Sequence, residues 1–142
     1  PVHLDACMIW FCPTDFTRMR EMLIEAGFPP GPDHLVPGDN ALDWYLGIPV
    51  AEAPDLAALA NPETFITPAC PPFVIQHGKQ DAVVPWQQSV IFADKLGTVI
   101  GPEKVRLTLF DDYVHADRRF ETMHVCSGVL DDLEALLGRG QG

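Results

Sequence analysis

The order of apolar runs along the 142 residues constrains the fold more than any other feature of the sequence. Residues 2–11, apolar on both faces from residue 6 onward, and residues 73–76 have the pattern of strands that are covered on both sides. Residues 105–110 alternate apolar and polar side chains, which predicts a strand with one wet face at a sheet edge. Three buried or half-buried strands with long connections predict a parallel sheet.

The segments between these strands predict the helices. Apolar residues at helical spacing predict long helices at 16–26, 85–96 and 121–137, with Thr14 or Asp15 as the first N-cap. Ten of the 14 prolines lie between residues 29 and 72, so this stretch is expected to be an irregular, cap-like excursion with short helices at 41–46 and 54–60. We therefore predict an α/β fold in one incomplete domain over 1–142: a strand at 1–12, the excursion at 13–72, and the remaining strands and helices at 73–142.

Charge and composition exclude several classes of function. The formal charge of −11 would repel a nucleic-acid backbone or an anionic membrane surface. The longest apolar run, residues 6–12, is far below the roughly 18 residues of a membrane span. Four cysteines without a CxxC pair predict free thiols. Nucleic acid and membrane are therefore not expected partners.

Two loops carry the residues that indicate chemistry. Asp81 follows the second predicted strand by a few positions, and His115 follows the third. Because the carboxyl ends of parallel strands meet at one edge of the sheet, these side chains are expected to lie within 2.7–3.2 Å of each other, a hydrogen-bond distance. The order acid then histidine matches the last two members of a Ser-Asp-His triad, in which the acid orients the imidazole and the imidazole moves the serine proton.

The amino-acid sequences of three segments resemble those of α/β-hydrolase esterases of the feruloyl-esterase or acetyl-esterase-like, lipase-like branch. Residues 71–89, PPFVIQHGKQDAVVPWQQS, resemble the acid-bearing segment of that branch. Residues 10–16, WFCPTDF, resemble its WFGPTDF turn with Cys12 in place of a glycine, and residues 60–68, ANPETFITP, resemble its linker. The resemblance implies a partial α/β-hydrolase fold in which Asp81 is the triad acid and His115 the triad base.

The histidine segment departs from the family pattern. Residues 111–120, DDYVHADRRF, stand where the family has the glycine-rich G-x-G-H-G. The bulkier loop reduces the backbone freedom around His115.

The nucleophile is the larger departure from the family. Ser89 and Ser127 are the only serines, and neither lies in a Gly-x-Ser-x-Gly elbow ahead of the acid. Cys12 and Cys126 are not expected to replace them. The family resemblance implies that the nucleophile lies one strand–helix unit before residue 1, so the isolated chain is predicted to be inactive.

Other candidate residues carry weaker signals. Val84, just past the acid, is a candidate for contact with substrate, and His77 is expected to be structural and hydrogen-bonded to loop backbone. The acidic and histidine side chains of the last loop match no metal-ligand motif, so a solvated acidic loop is expected there rather than a metal site; these are Asp111, Asp112, His115, Asp117 and His124. Neither a metal nor a cofactor is predicted.

The predicted function is that of the C-terminal portion of a serine carboxylic-ester hydrolase acting on a small ester. Two alternatives stay open: a fragment of a prolyl-oligopeptidase-like serine peptidase, which shares the H-G-x-x-D segment, and a non-catalytic remnant or interaction module. The strand at 2–11 would lack a neighbour on one edge, so the missing N-terminal half or a second copy is expected as partner. The first residues, PVHLDA, predict a chain that begins within a longer protein and indicate no cellular compartment.

Overall fold

Three parallel strands form the sheet in a computed structural model that describes residues 3–28 and 41–138. The strands are β1 (Cys7–Trp10), β2 (Phe73–Gly78) and β3 (Val105–Phe110), and they lie in the order β1-β2-β3. Ile9 pairs with Ile75, which pairs with Leu107, so these three side chains share one face of the sheet. The predicted fold class, a small parallel sheet with flanking helices, is confirmed.

Within residues 3–28 and 41–138, five helices and four short 3₁₀ turns accompany the sheet. The helices are α1 (Met19–Glu25), α2 (Ala41–Leu46), α3 (Pro54–Ala60), α4 (Gln87–Ile100) and α5 (Met123–Leu136), and the 3₁₀ turns are Val50–Glu52, Pro62–Phe65, Pro102–Lys104 and Arg118–Glu121. The described helices include none that is long and apolar enough to cross a bilayer.

The core lies between the sheet and α4. Ile75 packs with Phe92, Leu96 and Ile100 of α4, and all four side chains are buried. α4 therefore extends past residue 96, where its end was predicted, because Ile100 adds one more apolar contact before Gly101 turns the chain at a φ of 102°. The predicted helices at 41–46 and 54–60 and the strand at 105–110 are confirmed.

β1 and α1 are both shorter than predicted. Strand geometry is limited to Cys7–Trp10, and its four residues are half-buried rather than buried, since within the described residues β1 pairs with β2 alone. α1 starts at Met19 because the Asp15 carboxylate accepts the backbone N–H of Thr17 at 3.0 Å, which forms a separate turn before the helix.

The buried stripe of α5 is narrower than the apolar face of the helix. Val125 and Val129, four residues apart, are buried, whereas the neighbouring Leu130 is 59% exposed. The sheet is narrow, so the helix contacts it only through residues spaced four apart. Apolar side chains at the edge of the apolar face are left exposed to water.

Gly78 at the end of β2 is required by a close approach of backbone. A Cβ added there would overlap the carbonyl group of Tyr113, with 2.6 Å to its carbonyl carbon. Tyr113 belongs to the loop that follows β3 and carries His115. The missing side chain at Gly78 thus lets that loop cross the end of β2.

We expect Gly78→Ala to lower the free energy of unfolding by roughly 1–3 kcal/mol, because backbone rather than a flexible side chain must move. The matched control is Gly128→Ala in α5, where an added Cβ meets nothing within 4 Å. That change is expected to stabilise the chain by about 0.5–1 kcal/mol through helix propensity. Urea unfolding midpoints measure both, and equal midpoints for the two variants would contradict this account.

Candidate active site

Asp81 lies in the loop after β2, and its carboxylate is held by backbone. Oδ1 accepts the N–H groups of Val83 and Val84, each at 2.8 Å, and the Asp81 N–H donates to the carbonyl of Gly78 at 3.2 Å. The side chain is fully buried. An aspartate whose side chain accepts the backbone N–H groups two and three residues later forms an Asx turn. The local sequence therefore fixes the Asp81 carboxylate in place.

His115 lies in the loop after β3 and meets the same carboxylate. Its Nδ1 is 2.8 Å from Oδ2 of Asp81, and 31% of its side chain is exposed. Since a carboxylate can only accept, Nδ1 carries the proton. The predicted distance between the two side chains is confirmed, whereas their catalytic roles stay predictions.

Backbone hydrogen bonds join the two loops beyond the ends of the strands. The Lys79 N–H donates to the carbonyl of Phe110 at 2.7 Å, and the Gln80 N–H donates to that of Tyr113 at 3.0 Å. The parallel ladder thus continues past β2 and β3. This brings both loops to one edge of the sheet, as expected for the carboxyl-terminal ends of parallel strands.

Aromatic rings support the imidazole from behind. Phe11, directly after β1, meets the His115 ring edge-on with centroids 4.8 Å apart. Phe120 is buried and packs against Phe11 at 5.1 Å and against Trp10 at 5.7 Å. Phe11 takes a left-handed φ of 37°, a conformation that the surrounding rings stabilise.

The residue after the histidine also adopts a backbone conformation that favours glycine. Ala116 has a φ of 51°, at the position where the resembling family carries the last glycine of its motif. A left-handed alanine costs on the order of 1 kcal/mol. The bulkier loop thus reaches the same turn at some cost.

Arg119 neutralises the acidic loop, and sequence reasoning missed it. Its guanidinium contacts Asp112 at 2.7 Å and Asp117 at 2.8 Å and lies 4.0 Å from the centre of the Tyr113 ring. The side-chain hydrogen bond from Arg119 lowers the pKa of Asp117. Lys79 pairs with Asp111 at 2.7 Å. The sequence does place aspartates two and seven residues before Arg119, and this spacing could have predicted the ion pairs.

The loop is therefore ion-paired, and it is also solvated as expected, since the Asp111 and Asp112 side chains are 86% and 75% exposed. Across residues 3–28 and 41–138, no three His, Cys, Asp or Glu side chains are close enough to hold a metal ion.

The pKa of Asp81 is lowered to about 2. Burial opposes ionisation, but the hydrogen bonds from His115, His77 and the N–H groups of Val84 and Val83 outweigh it. The carboxyl group is therefore a carboxylate across the pH range in which an ester hydrolase works.

The remaining candidates occupy structural positions. The Val84 side chain is buried against Met19 and Leu23 and packs the acid loop, and its contact with substrate stays a prediction. His77 is structural as predicted, with Nε2 2.9 Å from the carbonyl of Val84. Neither serine is placed as a nucleophile, because Ser89 is buried and the Ser127 hydroxyl donates to a carbonyl of its own helix. Cys12 is not placed as one either, because burial raises the pKa of its thiol.

Comparison with known proteins identifies the family. The BD-FAE family model matches residues 1–96, a stretch that includes Asp81 and ends before His115. The chain belongs to the BD-FAE family. BD-FAE is a family of esterase-like hydrolase domains. No curated protein is significantly similar to it in sequence.

Solved structures show that this BD-FAE chain has part of an α/β-hydrolase fold. A truncated form of a carbohydrate esterase from gut microbiota has a TM-score of 0.76 and 23% identity, covering 96% of this chain and 44% of that one. A bifunctional GH43-CE protein from Bacteroides eggerthii has a TM-score of 0.73 and 25% identity, with coverages of 94% and 17%. A thermophilic esterase from Thermogutta terrifontis has a TM-score of 0.58 and 18% identity, with coverages of 97% and 46%. The chain thus spans less than half of each of these structures.

We expect the pKa of Asp81, measured by ¹³C NMR of its carboxyl carbon, to rise when His115→Ala removes one of its donors. The stabilisation tied to this group is complete above the ordinary carboxyl pKa near 4 and is lost as pH falls toward 2. Between pH 4 and pH 2 the free energy of unfolding of the wild-type chain should fall by about 2 kcal/mol more than it would if the Asp81 pKa were unperturbed. The fall should be smaller in the variant.

His124→Ala is the control for this titration. His124 is exposed on α5, so its removal should leave the Asp81 titration unchanged. An Asp81 pKa near 4 in the wild-type chain, or one insensitive to His115→Ala, would show that the Asp81–His115 hydrogen bond does not form in solution.

Proposed function

We propose that this BD-FAE chain supplies the acid and the histidine of a serine carboxylic-ester hydrolase. The observation that supports the proposal most directly is the 2.8 Å contact between His115 Nδ1 and Asp81 Oδ2 at the carboxyl edge of a parallel sheet. The carboxylate is buried while the imidazole is partly exposed. A buried acid that orients an accessible histidine is the arrangement that acyl transfer to serine requires.

The proposed chemistry uses the second ring nitrogen. With Nδ1 bonded to Asp81, the Nε2 atom of His115 takes the proton of a serine hydroxyl as its oxygen forms a bond to the ester carbonyl carbon. The proton then passes from Nε2 to the leaving alcohol, whose C–O bond breaks, and an acyl-enzyme remains. Water attacks the acyl-enzyme with the same proton transfers in the second half of the cycle. Asp81 stabilises the imidazolium in both halves.

The serine is proposed to come from a segment outside residues 1–142. Ser89 and Ser127 are unsuited to the role, as described above, and the carbohydrate esterase of similar fold is more than twice as long as the part this chain covers. The same segment would supply the N–H donors that bind the oxyanion, each worth on the order of 3 kcal/mol in the transition state.

The free edge of β1 is the proposed docking edge for that segment. Within the described residues β1 pairs with β2 only, so its outer N–H and C=O groups are available to a further strand. A second copy of the chain is the other partner that could pair there. Light scattering should detect one of these two assemblies, and a stable monomer at high concentration in the presence of the upstream segment would contradict the proposal.

Hydrolysis of p-nitrophenyl acetate tests the function. The isolated chain is expected to be inactive, and addition of the segment encoded upstream of residue 1 should restore turnover. In the reassembled pair, His115→Ala and Asp81→Asn should each lower kcat by on the order of a thousandfold or more, because the proton acceptor or its orientation is lost. The matched control His124→Ala should retain full activity.

Three outcomes would overturn the assignment. Ester hydrolysis by the isolated chain that survives both Asp81→Ala and His115→Ala would mean that other residues carry the chemistry. Faster cleavage of a peptide p-nitroanilide than of the ester would favour the peptidase alternative. A reassembled pair without any turnover would favour a non-catalytic module.

A further inference from the structure

A second imidazole reaches the Asp81 carboxylate from inside the core. Nε2 of His77 lies 2.9 Å from the carbonyl oxygen of Val84 and 3.2 Å from Oδ2 of Asp81. Nδ1 of the same ring lies 2.6 Å from Oγ of Ser89 on α4. The side chains of His77, Asp81 and Ser89 are all fully buried.

The partners of the His77 ring determine where its protons lie. A carbonyl oxygen only accepts hydrogen bonds, so Nε2 must carry a proton to satisfy Val84. The Ser89 hydroxyl can donate as well as accept, and it is close enough to donate to an unprotonated Nδ1. The geometry therefore fits a neutral ring in which Ser89 donates to Nδ1 and Nε2–H is shared between the Val84 carbonyl and Asp81.

The charge of the ring matters for the acid. A charged His77 would form a buried ion pair with Asp81. The negative charge of the carboxylate would then be partly neutralised before a cation forms on His115. A neutral donor orients the same oxygen and leaves its negative charge for the cation that forms on His115. Oδ2 then receives two imidazole N–H groups, and only the outer one changes its charge during the reaction.

We propose that Ser89 and His77 are positioning residues that hold the Asp81 carboxylate for His115 through a neutral hydrogen-bonded chain. This inference rests on the proposed roles of Asp81 and His115. The hydrogen-bonded side chains Ser89, His77 and Asp81 have the bonding pattern of a catalytic triad. No ester can reach them, because all three side chains are buried. Its action on the reaction is therefore through the position of Asp81.

NMR of the wild-type 142-residue chain tests the protonation state without any variant. In ¹⁵N-labelled protein, His77 should show a protonated, pyrrole-type Nε2 and an unprotonated, pyridine-type Nδ1 at pH 7. Two pyrrole-type nitrogens, as in an imidazolium, or a proton on Nδ1 instead of Nε2 would overturn the proposal.

Ser89→Ala tests the positioning role, with Ser127→Ala as the matched control. The Ser89 hydroxyl lies within hydrogen-bond distance of His77 Nδ1, whereas the Ser127 hydroxyl is exposed and donates to the Met123 carbonyl within α5. Loss of a buried hydrogen bond should speed solvent exchange of the His115 Nδ1 proton roughly tenfold in Ser89→Ala and leave it unchanged in Ser127→Ala. Equal exchange rates in both variants would contradict the proposal.

In the reassembled hydrolase, Ser89→Ala should lower kcat by about tenfold and leave KM unchanged, since substrate contacts are not altered. A change in KM alone would contradict a positioning role. The proposed function and this inference fail separately: an inactive wild-type pair refutes the function, and the His77 protonation state is read from the chain by itself.

Discussion

Hydrogen bonding to the Asp81 carboxylate is the interaction on which the site depends. The two oxygens accept from the N–H groups of Val83 and Val84, from His77 and from His115. An isolated carboxylate would not stay ionised in a fully buried position, because the loss of water costs several kcal/mol. Donors from the end of β2, from the acid loop and from the loop after β3 replace that water together. Loss of any one of them is expected to affect the others, since all four meet at one group.

The histidine loop reaches Asp81 because a glycine and an aromatic cluster allow it. Gly78 leaves room for the backbone of Tyr113, and Phe120 packs against the rings of Phe11 and Tyr113. Arg119 fixes the outer side of the loop through Asp112 and Asp117. These contacts do in this chain what flexible glycines do in the resembling motif, with a left-handed Ala116 as the remaining strain.

Local patterns predict those parts of the fold that local forces determine. The helices at 41–46 and 54–60 and the strand at 105–110 follow from proline positions and apolar spacing, and the pairing of Asp81 with His115 follows from sheet topology. The Asp15 turn that delays the start of α1 depends on a distant residue as well as on the local Asp15–Thr17 hydrogen bond. There the Gln88 amide oxygen, more than 70 residues away, accepts the N–H groups of Thr14 and Asp15 and fixes the turn before the helix. Contacts between distant residues, such as this one and the aromatic cluster, leave no periodic signal in a single sequence.

The buried acid and the accessible histidine together explain how this chain could form half of the proposed catalytic apparatus before the proposed nucleophile docks. In the proposed hydrolase, the imidazolium forms 2.8 Å from a carboxylate that water does not screen, so its stabilisation is greater than the same pair would give in bulk solvent. The donors that hold the carboxylate come from residues 77–115 alone. Docking of a serine-bearing segment therefore has to align one hydroxyl with Nε2 of His115, and no rearrangement of the acid is needed at that step. The cost of ordering the acid is met when this chain folds, which leaves the energy of docking for positioning the serine and the oxyanion donors.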